Sequence, residues 1–121
     1  MFFVQVAASN IQKDEPEDDP LWVQTLNELK LSEEFLTYTV QDLCRKLNYS
    51  RVQLNRLFNA RYGMSPHEYL LSNRLLYAQN LLNNTDMNTT EIANVVGYSN
   101  LAQFNVVFKN KFGVTPGQYR K

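Results

Sequence analysis

One stretch of this chain occurs twice, and that repeat constrains the fold more than any other feature. The first copy runs from Asp42 to Tyr69 (DLCRKLNYSRVQLNRLFNARYGMSPHEY) and the second from Glu91 to Tyr119 (EIANVVGYSNLAQFNVVFKNKFGVTPGQY). An acidic residue opens each copy, and a Tyr-Ser pair sits in the middle, Tyr49-Ser50 and Tyr98-Ser99. Each closes with an aromatic residue, Gly, one apolar residue, Ser or Thr, and Pro, followed by a Tyr three residues past the Pro. The copies are offset by 49 residues at the front and 50 at the back, so the second holds one extra residue after its Ser. Self-similarity this close means one supersecondary unit used twice.

The punctuation says what the unit is. Leu43 and Leu47 are four apart and share one face of a short helix. Asn48, or Gly97 in the second copy, suits the left-handed conformation that ends such a helix. Ser50 and Ser99 stand before a second helix, where a hydroxyl caps free backbone N–H groups. That helix carries Leu54, Leu57 and Phe58 on its inner face, matched by Phe104, Val107 and Phe108. Gly63 and Gly113 stop it, and Ser65-Pro66 and Thr115-Pro116 start a third helix. Two short helices joined by a tight turn, the second exposed, form a helix-turn-helix, whose second helix lies in the DNA major groove.

Charge agrees with that reading once it is divided along the chain. The formal net charge is zero, but residues 1–35 carry two basic against eight acidic side chains, and residues 36–121 carry ten against four. The repeated part is therefore basic by six, as a nucleic-acid-binding region should be. A single cysteine excludes an internal disulfide framework, and a single histidine, His67, excludes a His-rich metal site. No apolar run reaches the length of a membrane span, so no membrane contact by this segment is expected. No basic flank precedes the apolar Met1–Ala8 run, so no secretory signal is evident and a cytoplasmic location is the expectation. No cofactor is implied.

These observations predict an all-α fold: two helix-turn-helix subdomains joined by a long central helix, with an extra N-terminal helix. Residues 1–18 read as a linker or the remnant of an upstream domain, because an apolar start gives way to an acidic stretch with prolines. Residues 19–65 hold a leading helix, begun by Asp18-Asp19-Pro20 and carrying Trp22, Leu26 and Leu29, and the first unit. In that unit Thr39 caps the first short helix, with Asp42 as an acidic variant of the capping box. Residues 66–83 form the connecting helix, in which Leu70, Leu71, Leu75, Ala78, Leu81 and Leu82 make an apolar stripe. Its run from Pro66 to Leu82 spans about 25 Å, and Arg74 sits among the leucines in what reads as a structural place. Residues 84–121 hold the second unit, reached by a turn over Asn83–Asp86 and opened by Thr89.

The outward residues of the two exposed helices are the candidate DNA contacts. The first helix offers Arg51, Val52, Gln53, Asn55, Arg56, Asn59 and Arg61, with Ser50 at its start. Its three arginines suit guanine edges and phosphates, because a guanidinium fork donates bidentately to either. The second offers Leu101, Ala102, Gln103, Asn105, Val106 and Lys109, with Ser99 and Asn100 at its start, and only one of these is charged.

With both units laid out, the region from about Asp19 to Lys121 resembles the DNA-binding domain of the AraC/XylS family of bacterial transcription regulators. The resemblance rests on YSRVQLNRLF, the helix around NRLLYAQNLL, EIANVVGYSN, and the closing FKNKFGVTPGQYRK. The leading helix with Trp22 and the FLTYTVQDLCRKLNYSRVQLNRLF stretch is also similar to members fused to two-component sensors. The resemblance implies sequence-specific binding of double-stranded DNA, with two recognition helices in successive major grooves. It assigns base reading to Val52, Asn55 and Arg56 in the first unit, and to Leu101, Ala102, Gln103 and Val106 in the second. The family often has Arg in place of Val106 and polar residues in place of Leu101 and Ala102. Valine cannot donate to guanine, and apolar side chains only touch a thymine methyl. The second unit is therefore expected to read sequence weakly, or to contact phosphate through Asn100, Asn105, Lys109 and the helix N-terminus.

Two other readings stand beside this one. The apolar outer face of Leu101, Ala102 and Val106 also suits a helical protein-interaction module, docking on an upstream sensor or receiver domain or on RNA polymerase. An enzyme, such as a methyl-accepting repair protein, needs an activated thiol, and Cys44 lies beside Leu43 at an expected helix contact with no base in reach. Catalysis is not expected.

Overall fold

The structure is a computed structural model that describes residues 19–120. Those residues contain helices and no strand. The chain divides after Ser32 into two compact units. The proposed linker over residues 1–18, Asp18 included, and Lys121 lie outside the described residues.

The part before the division contributes helix α1, Leu21–Leu29, on which Trp22, Val23 and Leu26 are buried. Pro20 is the N-cap of this helix and not part of its first turn, and no side chain caps it. The part after Ser32 opens with a 3-10 helix over Glu33–Thr37, which the sequence pattern does not reveal; Phe35 and Leu36 are its buried residues. Then come α2 (Val40–Leu47), α3 (Arg51–Tyr62), α4 (Pro66–Asn84), α5 (Thr89–Val95), α6 (Leu101–Phe112) and α7 (Pro116–Arg120). α2 and α3 are the first helix-turn-helix, and α5 and α6 the second.

Caps set most of these boundaries. Thr39, Ser50, Ser65 and Asn88 each accept a hydrogen bond from the backbone N–H three residues on, and the side chain at that position accepts one from the backbone N–H of the cap. Two free N–H groups per helix start are satisfied this way. α5 is thus opened by Asn88 and Glu91, not by Thr89, because the amide oxygen reaches the orphan donors one residue earlier. α7 repeats the arrangement with Thr115 and Gln118. The short helices end as expected: Asn48 has φ of 64° and Gly97 of 95°. Gly63 and Gly113, at φ of 70° and 86°, stop α3 and α6. α4 runs two residues beyond Leu82: Asn83 and Asn84 are helical, and Thr85 ends the helix by returning its N–H and hydroxyl to the Leu81 carbonyl. At 19 residues it spans about 28 Å.

The repeat carries through to the cores. Phe58 packs against Tyr62 and edge-on to Tyr69, with ring centroids 5.2 Å apart in both pairs. Fifty residues on, Phe108 packs against Phe112 at 4.5 Å and edge-on to Tyr119 at 5.9 Å. α4 supplies Tyr69 to the first aromatic set, and Leu75, Ala78 and Leu82 to the second core beside Ile92, Ala93, Val96, Tyr98 and Phe104. Cys44 is buried, in keeping with its place beside Leu43.

Phe108 is fully buried at the centre of the second core. Phe108→Ala should cost about 3–5 kcal/mol in urea unfolding, and a loss under about 1 kcal/mol would show that this core closes without the ring. A second expectation concerns acid. The Thr39 backbone N–H donates to Asp42, and with the Thr39 hydroxyl and the Arg45 guanidinium it holds the carboxyl below its ordinary 3.8. A folded-state pKa that is depressed stabilises above the unfolded value and ceases to do so as pH falls through the folded one. The melting temperatures of the parent chain and Asp42→Asn should therefore differ at neutral pH and converge as pH falls through the lowered folded-state pKa of the carboxyl. A constant gap through that range would assign the difference to something other than the carboxylate charge.

Candidate nucleic-acid interface

The outward face of α3 is built by its cap and its buried stripe. Leu54 and Phe58 turn inward and are fully buried. Helical spacing then forces Arg51, Val52, Asn55, Arg56 and Asn59 outward, and all five are exposed. Val52 is 69% exposed, a large apolar surface for a residue with no protein neighbour to cover it. Ser50 caps the helix, its Oγ accepting from the Gln53 N–H at 3.2 Å. The Gln53 side-chain oxygen in turn accepts from the Ser50 N–H at 3.0 Å. Gln53 is thereby tied to the helix start, and its NH2 is the part left to face outward. Arg61 is exposed in the last turn, away from the capped end.

α6 presents a different surface. Phe104 and Phe108 are buried, and Ala102, Gln103, Val106 and Lys109 are exposed. Leu101 departs from its expected outward place: it is half-buried and packs against the second core. Asn105 is half-buried too. Ser99 does not cap the helix. Asn100 does, accepting from the Gln103 N–H at 3.2 Å, because the extra residue of the second copy moves the start of α6 one position on. Ser99 is left exposed before the cap. This cap is one-sided: Gln103 returns no bond to Asn100, so its whole amide is available, unlike that of Gln53. Val106, 58% exposed, stands fifty residues from Arg56.

Two adjoining grooves flank the start of α3. One of about 300 Å³ is lined by Val40, Arg51, Val52, Asn55, Ser65, Pro66 and His67, and the second, about 350 Å³, shares Val40, Arg51 and His67 with it. His67 therefore sits beside the arginine and asparagine of the exposed helix, which no spacing in the sequence indicates. Arg74, by contrast, is held within the fold, donating to the Tyr38 carbonyl at 2.7 Å. Among the described residues no group of three or more His, Cys, Asp or Glu is arranged to hold a metal ion. None of the described helices is long and apolar enough to cross a membrane.

Comparison with known proteins places this arrangement. The family described as "Helix-turn-helix domain" matches residues 43–121. The Msm operon regulatory protein of Streptococcus mutans is 40% identical over 82 residues, which make up 68% of this chain and 30% of that protein. The C-terminal domain of AraT, a response regulator from Geobacillus stearothermophilus, shares 30% identity at a TM-score of 0.74, over 87% of each chain. The DNA-binding domain of AdpA, a global transcriptional factor solved in complex with a target DNA, shares 25% identity at a TM-score of 0.73. That match covers 82% of this chain and 88% of the AdpA domain. The chain spans between 11% and 31% of the length of the curated relatives compared with it. With its two capped units on one shared helix and these matches, the chain belongs to the AraC-type family of helix-turn-helix transcription regulators, as their DNA-binding domain.

Proposed function

We propose that this chain binds double-stranded DNA in a sequence-specific way to regulate transcription, with α3 and α6 in successive major grooves. One observation carries the reading: two exposed helices, each behind a tight turn, stand on a common rigid helix in the basic part of the chain. The likeness to a domain solved with its target DNA supports it. In the first unit Asn55 and Arg56 read base edges, Val52 touches a thymine methyl, and Arg51, Ser50 and Arg61 hold phosphates. Gln53 keeps only its NH2 for DNA. In the second, Gln103 is the polar reader, Ala102 and Val106 make apolar contacts, and Ser99, Asn100, Asn105 and Lys109 face the backbone. Leu101 serves that surface mainly by anchoring the start of α6. An upstream sensor or receiver domain and RNA polymerase are the further partners, and the cytoplasm is the site of action. The domain boundaries proposed above, at residues 18, 65 and 83, follow the same division of labour.

A second reading is favoured by the apolar exposed surface at Val106. On it, α6 docks on protein. A gel shift at low salt separates the two, because an interaction module would hold a duplex no better than a neutral control domain does.

If the basic half grips about six phosphates, log affinity should fall with log salt at a slope near about −5. A slope near zero would mean that the partner is not a polyanion. Replacing Arg56 by Ala should cost roughly 1–3 kcal/mol and relax selection at one base position of the first half-site. Equal loss on every sequence would instead make Arg56 a phosphate contact. The centres of the two half-sites should lie roughly 34 Å apart along the duplex. α4 is shorter than that, which favours DNA bent toward the protein. The half-sites should be unequal: the first strictly defined, the second tolerant or thymine-rich apart from one position under Gln103. Selection from a random duplex library measures this directly. Two equally sharp half-sites, or a sharper one under α6, would overturn the assignment.

A further inference from the structure

Each helix-turn-helix has its lead-in pinned by an arginine from the helix that closes it. In the first unit, Arg74 of α4 donates from Nη2 to the carbonyl of Tyr38 at 2.7 Å. Tyr38 immediately precedes Thr39, the N-cap of α2. In the second unit, Arg120 of α7 donates from Nη1 to the carbonyl of Met87, which immediately precedes Asn88, the N-cap of α5. Tyr38 and Met87 are 49 residues apart and so occupy equivalent places in the repeat. The arginines do not: Arg120 corresponds to Leu70, four residues before Arg74. The two side chains thus reach the same carbonyl from adjacent turns of equivalent helices.

Their further contacts differ. Arg120 also donates to the carbonyls of Leu81 and Leu82, in the last turns of α4, and of Thr85, its C-cap. Arg74 instead touches both units. Gly97, in the turn of the second helix-turn-helix, lies close to its guanidinium: a Cβ there would stand 3.9 Å from Cζ and Nε, and 3.4 Å from the carbonyl of Leu36. Leu36 belongs to the 3-10 helix that leads into the first unit. The Nε of Arg74 is buried, and so is the hydroxyl of Tyr98, the residue after Gly97. The guanidinium thus stands inside the fold between the lead-in of one helix-turn-helix and the turn of the other.

We propose that Arg74 is a positioning residue that ties the lead-in of the first helix-turn-helix to the turn of the second and so sets the angle between α3 and α6. A defined half-site spacing is its consequence on DNA, and that part rests on the DNA-binding reading. The angle itself does not.

Two measurements on the full chain test it. The first needs no DNA. Nitroxide labels at exposed Lys46→Cys and Asn110→Cys, with Cys44→Ala, report the distance distribution between the units by double electron–electron resonance. Arg74→Met should broaden or shift that distribution relative to the parent chain. Should Arg74→Met fail to fold, Arg74→Lys serves: it keeps a donor for Tyr38 but has no guanidinium to lie beside Gly97, and the same change is expected. An unaltered distribution in every folded Arg74 variant overturns the proposal. The second measures affinity for duplexes whose half-site spacing is changed by one base pair. The parent chain should lose about tenfold, and the Arg74 variant less than about threefold. Arg120→Met, which leaves the bridge between the units in place, should weaken binding without flattening that spacing preference. Equal spacing preference in parent and Arg74 chains also overturns the proposal. If the labels respond but the parent chain binds no duplex, the DNA reading fails and the positioning role of Arg74 stands.

Discussion

Both cores lean on one helix. α4 gives Tyr69 to the aromatic set of the first helix-turn-helix, and Leu75, Ala78 and Leu82 to the core of the second. A helix-turn-helix of two short helices buries too little apolar surface to stand without a third. The first unit borrows that third helix from α4, and α4 continues far enough to become the floor of the second. Sharing it removes the freedom a flexible linker would leave between the two exposed helices. A rigid α4 also makes any change in its packing felt at both ends, since close-packed interiors transmit displacement and do not absorb it.

Within that frame, local chemistry decides what each exposed helix can offer. The reciprocal cap at the start of α3 occupies the oxygen of Gln53. The one-sided cap of α6 leaves Gln103 unencumbered. A single inserted residue accounts for the difference, because it moves the cap from the serine to Asn100. The unit that is richer in arginine therefore has its glutamine partly committed, and the unit with apolar Ala102 and Val106 has its glutamine available. The two recognition surfaces are built on one pattern and are not chemically equivalent.

Much of this was legible in the residues themselves. The helices, their order, the left-handed turns at Asn48 and Gly97, the glycine stops and most of the caps follow from interactions between residues five or fewer apart, which spacing and residue type express directly. The inward and outward faces of α3 follow from the period of a helix for the same reason. Where local signals compete, residue type and spacing do not choose between them. Thr89 and Asn88 both resemble caps, Ser99 and Asn100 likewise, and only the geometry of the turn selects between them. The 3-10 helix at Glu33–Thr37 is too short to show a period, and the two asparagines at the end of α4 look like a turn until Thr85 is seen to close the helix behind them.

What the sequence determined alone is the double unit, its fold class and the face α3 turns to solvent, because these rest on contacts near in the chain. What only the tertiary structure decided rests on contacts 33 to 39 residues apart. Arg74 and Arg120 become clasps on backbone carbonyls through such contacts; the place of Arg74 among leucines suggests a structural role, but only the fold names the carbonyl each one meets. Leu101 turns to the core and His67 joins the groove beside Arg51 for a related reason: the helices beside them arrive from elsewhere in the chain. A side chain's spacing gives its direction on its own helix. It does not give the identity of what that direction meets.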